Sequence, residues 1–215
     1  MLAAQRGRHH GLNHGQNSGA LGRIRGSTMW FLRLYLFSGL VAHKLVWELL
    51  KRCTPATARP RAAQLTLVKV VKIAILVGIL VQTLLPDDVF PIARNATALR
   101  LIGTLIYTCG LLTAIVGRFQ LGRNWSDIET PTVGEEHTVV THGLYRFIRH
   151  PIYVGDLLLL LGLELALNSW LVLGVFALIP VILRRAVEEE KFLEGQLPGY
   201  RLYVQRTKRF IPFVV

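Results

Sequence analysis

His142, Arg146, Arg149 and His150 fall within a nine-residue stretch, and Pro151 and a long apolar run follow directly. Proline suits the first position of a helix, where the N–H groups have no internal acceptor, and it biases the preceding residue away from helical geometry. His150 is therefore expected at a helix N-terminus, where free N–H groups favour an anion, with Arg146 and Arg149 adding positive charge. Further along, Arg184 and Glu188 are four apart, as are Arg185 and Glu189, so each pair shares a helix face. That spacing suits an ordinary surface ion pair as well as a site. Together these residues admit something anionic or zwitterionic. The sequence has no HExxH, CxxC or GxSxG, and Cys53 and Cys109 lack metal-ligand spacing. No metal site is expected, and any chemistry here depends on orientation and field more than on a covalent nucleophile.

The elements that must carry these residues are apolar. Of 215 residues, 52% are hydrophobic and only 18% charged, below the roughly 25% charged of soluble domains, and the mean hydropathy is positive. The net charge of +12 would suit a nucleic-acid binder in a polar chain. Here the basic residues sit mostly between apolar runs, so anionic lipid headgroups are the expected partners and nucleic acid is not. The runs are 30–50, 65–85, 97–117 and 152–183, the last breaking near Asn168 and Ser169. At about 20 residues per crossing, they predict an all-α, polytopic integral membrane protein with about five transmembrane helices, the last two forming a tight hairpin. A single long buried helix is the competing reading of 152–183. Most basic residues then lie on one face, which predicts a multi-pass inner-membrane protein with a small polar catalytic cap on the cytoplasmic side.

Three segments follow: a disordered basic tail at 1–28, rich in Gly, His, Asn and Arg; three transmembrane helices at 29–117; and a catalytic region at 118–215. Within the apolar runs, His43 lies towards a segment end and Asp156 near the polar cap. Glu164 is deeper, where a carboxylate turns towards protein or a cavity. Tyr200, Tyr203 and Phe210 are expected as headgroup-level anchors.

GLYRFIRHPIYVG (143–155), R-x-x-x-E-E (184–189) and GYRLYVQRTKRFIP (199–212), in that order, resemble the isoprenylcysteine carboxyl methyltransferase family and in particular its bacterial members. The resemblance covers roughly 118–213. It implies an S-adenosylmethionine-dependent membrane enzyme whose cofactor is held by His150 and adjacent backbone at Pro151 and by Glu189, with His142, Tyr145 and Tyr153 shaping the pocket. It also implies a lipophilic or prenylated acceptor, whose carboxylate Arg184 or Arg185 would hold with Glu188 beside them. Three consecutive glutamates leave the register open by one; counting back from Tyr200 selects Glu188 and Glu189 over Glu189 and Glu190. A phospholipid N-methyltransferase has a similar C-terminal pattern and is the nearest alternative. A membrane NADPH-dependent reductase and a non-enzymatic membrane protein are the remaining ones.

Overall fold

A computed structural model describes residues 13–52, 67–85, 89–124 and 137–212. Among these, six α-helices follow in order: α1 (Asn13–Arg52), α2 (Leu67–Leu84), α3 (Thr97–Leu121), α4 (Pro151–Ala166), α5 (Val172–Gln196) and α6 (Tyr200–Arg206). The all-α class is as expected. α1 begins at Asn13, within the segment expected to be a disordered tail; residues 1–12 lie outside the described residues.

The membrane expectation needs correction. Among the described residues only two helices, Ser27–Lys51 and Thr97–Asn124, are long and apolar enough to cross a membrane. Within α2 the described stretch Ile73–Leu84 is a shorter apolar helix. With 16 residues, α4 spans about 24 Å at 1.5 Å per residue, less than the roughly 30 Å hydrocarbon core. The 25-residue α5 continues into Arg184, Arg185 and Glu188 to Lys191. The run 152–183 breaks between Ala166 and Val172, yet it does not make a tight hairpin of two membrane helices. Five crossings, and the multi-pass, cytoplasm-facing inner-membrane placement built on them, are therefore replaced by two candidate spans. These fix neither an orientation nor a bacterial source. Counting apolar residues could not distinguish a helix facing lipid from one facing another helix.

That second case is α4. It packs along α3 more extensively than any other pair of helices, with small residues letting the backbones approach closely. Gly103, Gly110 and Gly117 recur every seven residues on α3, and Gly155 and Gly162 do so on α4. A Cβ at Gly162 would overlap the backbone nitrogen of Tyr107, and one at Gly110 would overlap that of Leu159. Around this seam Leu36, Tyr107, Leu159, Leu163, Ala166 and Leu167 form a buried cluster, and the Tyr107 hydroxyl donates to the Leu36 carbonyl at 2.6 Å. Leu101, Leu105 and Phe119 on α3 and Leu173 and Phe176 on α5 remain exposed, an apolar surface of the kind that faces lipid or another protein.

Polar groups inside this end of the molecule satisfy one another. Arg33, only 3% exposed, donates to the carbonyl of Gln82 at 3.0 Å, satisfying a free acceptor near the end of α2. The Gln82 amide donates to Glu164 at 2.9 Å, so Glu164 makes a structural polar contact. Between α4 and α5, Asn168 takes φ +56°, a conformation that asparagine tolerates better than most residues. Its side chain bonds both the N–H and the carbonyl of Ala93. This docks the turn onto the segment before α3.

Candidate functional site

The opposite end of α4 gathers the polar residues. Pro151 is at the first helical position, with His150 as the flanking residue at φ −121°, ψ 56°, as the His-Pro sequence predicts. The chain around His150 is pinned by the C-terminal segment: Arg149 N–H donates to the Lys208 carbonyl at 2.8 Å, His150 N–H to that of Arg209 at 3.2 Å, and Lys208 N–H to that of Phe147 at 3.1 Å. Gly143 takes φ +59°, and a side chain there would meet Gln120, whose Oε1 accepts from the Leu144 N–H at 2.8 Å. The glycine therefore lets the lead-in to the His-Pro motif lie close against α3.

Glu190 is the hub. It is 5% exposed, and its carboxylate accepts from His150 Nε2 at 3.0 Å, Arg149 Nε at 2.8 Å and Arg209 Nη2 at 2.7 Å. Burial by itself would push this carboxyl upward; the hydrogen bonds from His150, Arg209 and Arg149 outweigh it and hold the group well below the usual carboxylate range. Arg149 also donates to the carbonyls of Val204 and Thr207. One carboxylate thus joins α4, α5 and the C-terminal segment.

Glu189, one residue earlier, points elsewhere. The Tyr153 hydroxyl donates to its Oε2 at 2.7 Å, and His150 Nδ1 lies 3.8 Å from the same oxygen. The Tyr153 ring stacks on His150 at 5.2 Å and 8°, while Phe210 lies 5.6 Å from the imidazole. Burial, with the charge and hydrogen bond of Glu189, pushes the Tyr153 phenol far above its ordinary range, so it remains a donor. Because 37% of the Glu189 side chain is exposed, the carboxylate remains open to a ligand.

The expected residues divide into two groups. His150, Pro151, Tyr153 and Glu189 come together, with Tyr145 buried behind them and its carbonyl accepting from the Tyr203 hydroxyl at 2.8 Å. His142 is exposed ahead of the short 3-10 turn Gly143–Arg146. Arg184, 82% exposed, pairs with Glu188 at 2.9 Å. Arg185 also turns to Glu188, at 3.6 Å, where the spacing had paired it with Glu189. The hydrogen bond from Arg184 lowers the Glu188 carboxyl. Tyr200 and Tyr203, expected at headgroup level, are buried in the cap, and Phe210 sits on His150.

The sequence reading missed Glu190, and with it the role of Arg209. Three successive glutamates on a helix point about 100° apart, so only one can face inward. The signal was Ala186, four residues earlier and fully buried, which marks that face. A cavity of about 810 Å³ lined by Thr138, Thr141, Arg146, Tyr203, Arg206 and Thr207, among others, adjoins this group. None of His142, Tyr145, His150, Tyr153 and Glu189 lines it.

Part of the chain is similar to known proteins. The profile of the family described as phospholipid methyltransferase matches residues 99–197, which takes in most of α3 and all of α4 and α5. Among individual proteins, the chain is 34% identical over 113 residues to the cobalt-zinc-cadmium resistance protein CzcN of Cupriavidus metallidurans, covering 52% of this chain and 51% of that protein. It is 30% identical over 118 residues to protein-S-isoprenylcysteine O-methyltransferase A of Arabidopsis thaliana, covering 53% and 56%. The chain thus spans about half the length of the curated relatives it matches. Its fold is similar to the solved structure of the eukaryotic intramembrane Ras methyltransferase ICMT, with a TM-score of 0.55 at 21% identity, over 85% of this chain and 68% of the other.

Proposed function

We propose that this protein is an S-adenosylmethionine-dependent methyltransferase that acts on the carboxylate of an isoprenylcysteine-like or other lipophilic acceptor. The observation that carries the reading is the joining of His150, Tyr153 and a part-exposed Glu189 at the start of α4. The catalytic unit is residues 118–215, supported by the helices within 29–117.

The donor set fits the cofactor. S-adenosylmethionine presents a carboxylate, an ammonium, a sulfonium and a ribose diol, with a net positive charge. Glu189 accepts from ribose hydroxyls or the ammonium, and the first-turn N–H groups of α4 beside His150 suit the carboxylate. The Arg146 and Arg206 guanidiniums of the neighbouring cavity suit a cation poorly, so the Glu189 side is the better match despite the cavity's volume. Tyr153 and Tyr145 give the pocket its walls, with His142 at its edge. Glu190 acts one layer behind, fixing the His150 ring and closing the C-terminal segment over it.

When bound, the cofactor supplies an electrophilic methyl group. A carboxylate acceptor is already ionised near neutral pH, so the chain needs no strong base for it; alignment provides much of the rate. Arg184 or Arg185, both solvent-accessible beside Glu188, holds the acceptor oxygens through a guanidinium fork. The test is calorimetric binding of S-adenosylmethionine to the detergent-purified protein, with S-adenosylhomocysteine and NADPH as comparisons. Micromolar binding, weakened more than tenfold by His150→Ala and by Glu189→Ala, is expected. No binding by the folded protein defeats the reading, and tight NADPH binding replaces it with a reductase.

A further inference from the structure

The cavity of about 810 Å³ in the cap brings Arg146 and Arg206 to one space, together with the hydroxyl-bearing Thr138 and Thr141. Among the described residues its lining contains no aspartate or glutamate. Four other cap arginines are engaged: Arg149 and Arg209 hold Glu190, and Arg184 and Arg185 turn to Glu188. Neither Arg146 nor Arg206 is paired with a carboxylate among the described residues; Arg146 lies over the Phe147 ring, 5.8 Å from its centre. Two like charges thus face one cavity, and an anion between them removes their repulsion.

The backbones that carry the two arginines are tied to each other. Arg146 ends the 3-10 turn Gly143–Arg146, and Arg206 ends α6. Between them the Tyr203 hydroxyl donates to the Tyr145 carbonyl at 2.8 Å, the Thr207 hydroxyl to the Tyr203 carbonyl at 2.7 Å, and Arg149 to the Val204 carbonyl at 3.2 Å. A ligand here therefore orders little more than side chains, which lowers the cost of binding. Guanidinium forks match phosphate oxygens, and hydroxyls add further donors. The volume lies in the range of small-molecule sites, about 300–1,000 Å³. The same lining includes the apolar Val139 and Leu202, and Leu202 is 59% exposed. A bare inorganic ion leaves these side chains facing water, whereas a phosphate ester with an apolar part covers them. Arginines that are merely solvated need neither a shared cavity nor an apolar flank.

We propose that this cavity binds the phosphate group of an anionic amphiphile, held between Arg146 and Arg206, with its apolar part along Val139 and Leu202. The ligand is neither methyl donor nor acceptor: His150, Tyr153 and Glu189 do not line the cavity, and no bond is made or broken in it. A phosphate ester is common to anionic lipid headgroups and to soluble metabolites. The apolar flank and the two candidate membrane spans favour the lipid. A zwitterionic choline head would bring a cation towards the arginines with no carboxylate in the lining to receive it, so the site selects net negative charge. Occupancy bridges the turn before His150 to α6 and so stiffens the cap. The proposal stands independently of the methyltransferase reading.

The experiment titrates the detergent-purified full chain with dihexanoyl phosphatidic acid, dihexanoyl phosphatidylcholine and glycerol 3-phosphate by calorimetry at about 0.15 M salt, where diffuse surface attraction is screened. The proteins are the wild type, Arg146→Gln, Arg206→Gln and, as a control for bulk charge, Arg201→Gln, an exposed α6 residue outside the lining. Micromolar binding of phosphatidic acid is expected, with phosphatidylcholine about tenfold or more weaker. Arg146→Gln and Arg206→Gln should each weaken phosphatidic acid by about tenfold or more, in line with charge-assisted contacts, and Arg201→Gln by less than about twofold. Bound ligand should also raise the melting temperature of the wild type. Glycerol 3-phosphate binding as tightly as the lipid assigns the cavity to a soluble phosphate ester, and binding by the lipid alone assigns it to a headgroup; both sustain a phosphate site. No binding of either phosphate monoester, or equal weakening by Arg201→Gln and the two lining variants, overturns the proposal. Displacement of phosphatidic acid by saturating S-adenosylhomocysteine also overturns it, because the cavity is then the donor's. A chain that binds phosphatidic acid but no S-adenosylmethionine defeats the methyltransferase reading and leaves this one standing.

Discussion

Replacing Glu190 with glutamine removes one negative charge from a place where His150, Arg149 and Arg209 all donate. The Arg149 side chain is 7% exposed, so little water can replace the lost partner. Breaking a buried pair by removing one member typically costs about 3–5 kcal/mol, because the remaining charge is left uncompensated. For a chain of this size each kcal/mol lowers Tm by about 2–4 °C, so Glu190→Gln should melt on the order of 10 °C below the wild type in detergent. The loss should be accompanied by faster proteolysis after residue 206, since Arg149 and Arg209 hold that segment. The effect is linked to pH. The folded Glu190 carboxyl lies below its ordinary value of 4.5, so its contribution is fully present above that value. It is lost as pH falls from there towards the depressed folded value. Wild-type Tm should fall on acidification below about pH 4.5, with a shallower fall in Glu190→Gln. A variant that melts within about 1 °C of the wild type, with the same acid slope, would refute the assignment of Glu190 as the hub.

The other expectations follow from contacts already described. Arg184→Ala removes an 82% exposed side chain and should change stability by less than about 0.5 kcal/mol; if Arg184 holds the acceptor, acceptor KM rises about tenfold or more while donor Kd stays constant, and steady-state kinetics beside calorimetry separates the two. Gly162→Ala places a methyl against the Tyr107 backbone and should lower thermal stability by at least about 1–3 kcal/mol, measured by detergent melting. Asn168→Ala loses both bonds to Ala93 and should destabilise by about 1–3 kcal/mol. Asn168→Gly should be less harmful than alanine, because glycine keeps φ +56° accessible, and the order of the melting temperatures checks this.

Much of the site could be read from the chain because its cues are local. Proline after histidine fixes a helix start, and the Asn-Ser break is likewise written in adjacent residues. The glutamate register was not local. Which of Glu188, Glu189 and Glu190 faces inward depends on the rotation of α5 about its axis, which is set by Ala186 packing against the rest of the fold. The same rotation turned Arg185 to Glu188 and left Glu189 for Tyr153. The membrane count failed for a related reason: hydropathy measures the need to leave water without naming what takes its place, and α4 is buried largely against α3.

The sequence by itself determined the helical class, the polar C-terminal cap and the helix start at Pro151, because helix periodicity, proline geometry and amino-acid composition act over a few residues. Only the tertiary structure decided that Glu190 is the buried partner of His150, that Arg209 closes the C-terminal segment over it, and that His43 reaches Asp156. These pairs join residues 19 to 113 positions apart, and their contact depends on how whole helices pack, which no local spacing in the chain encodes.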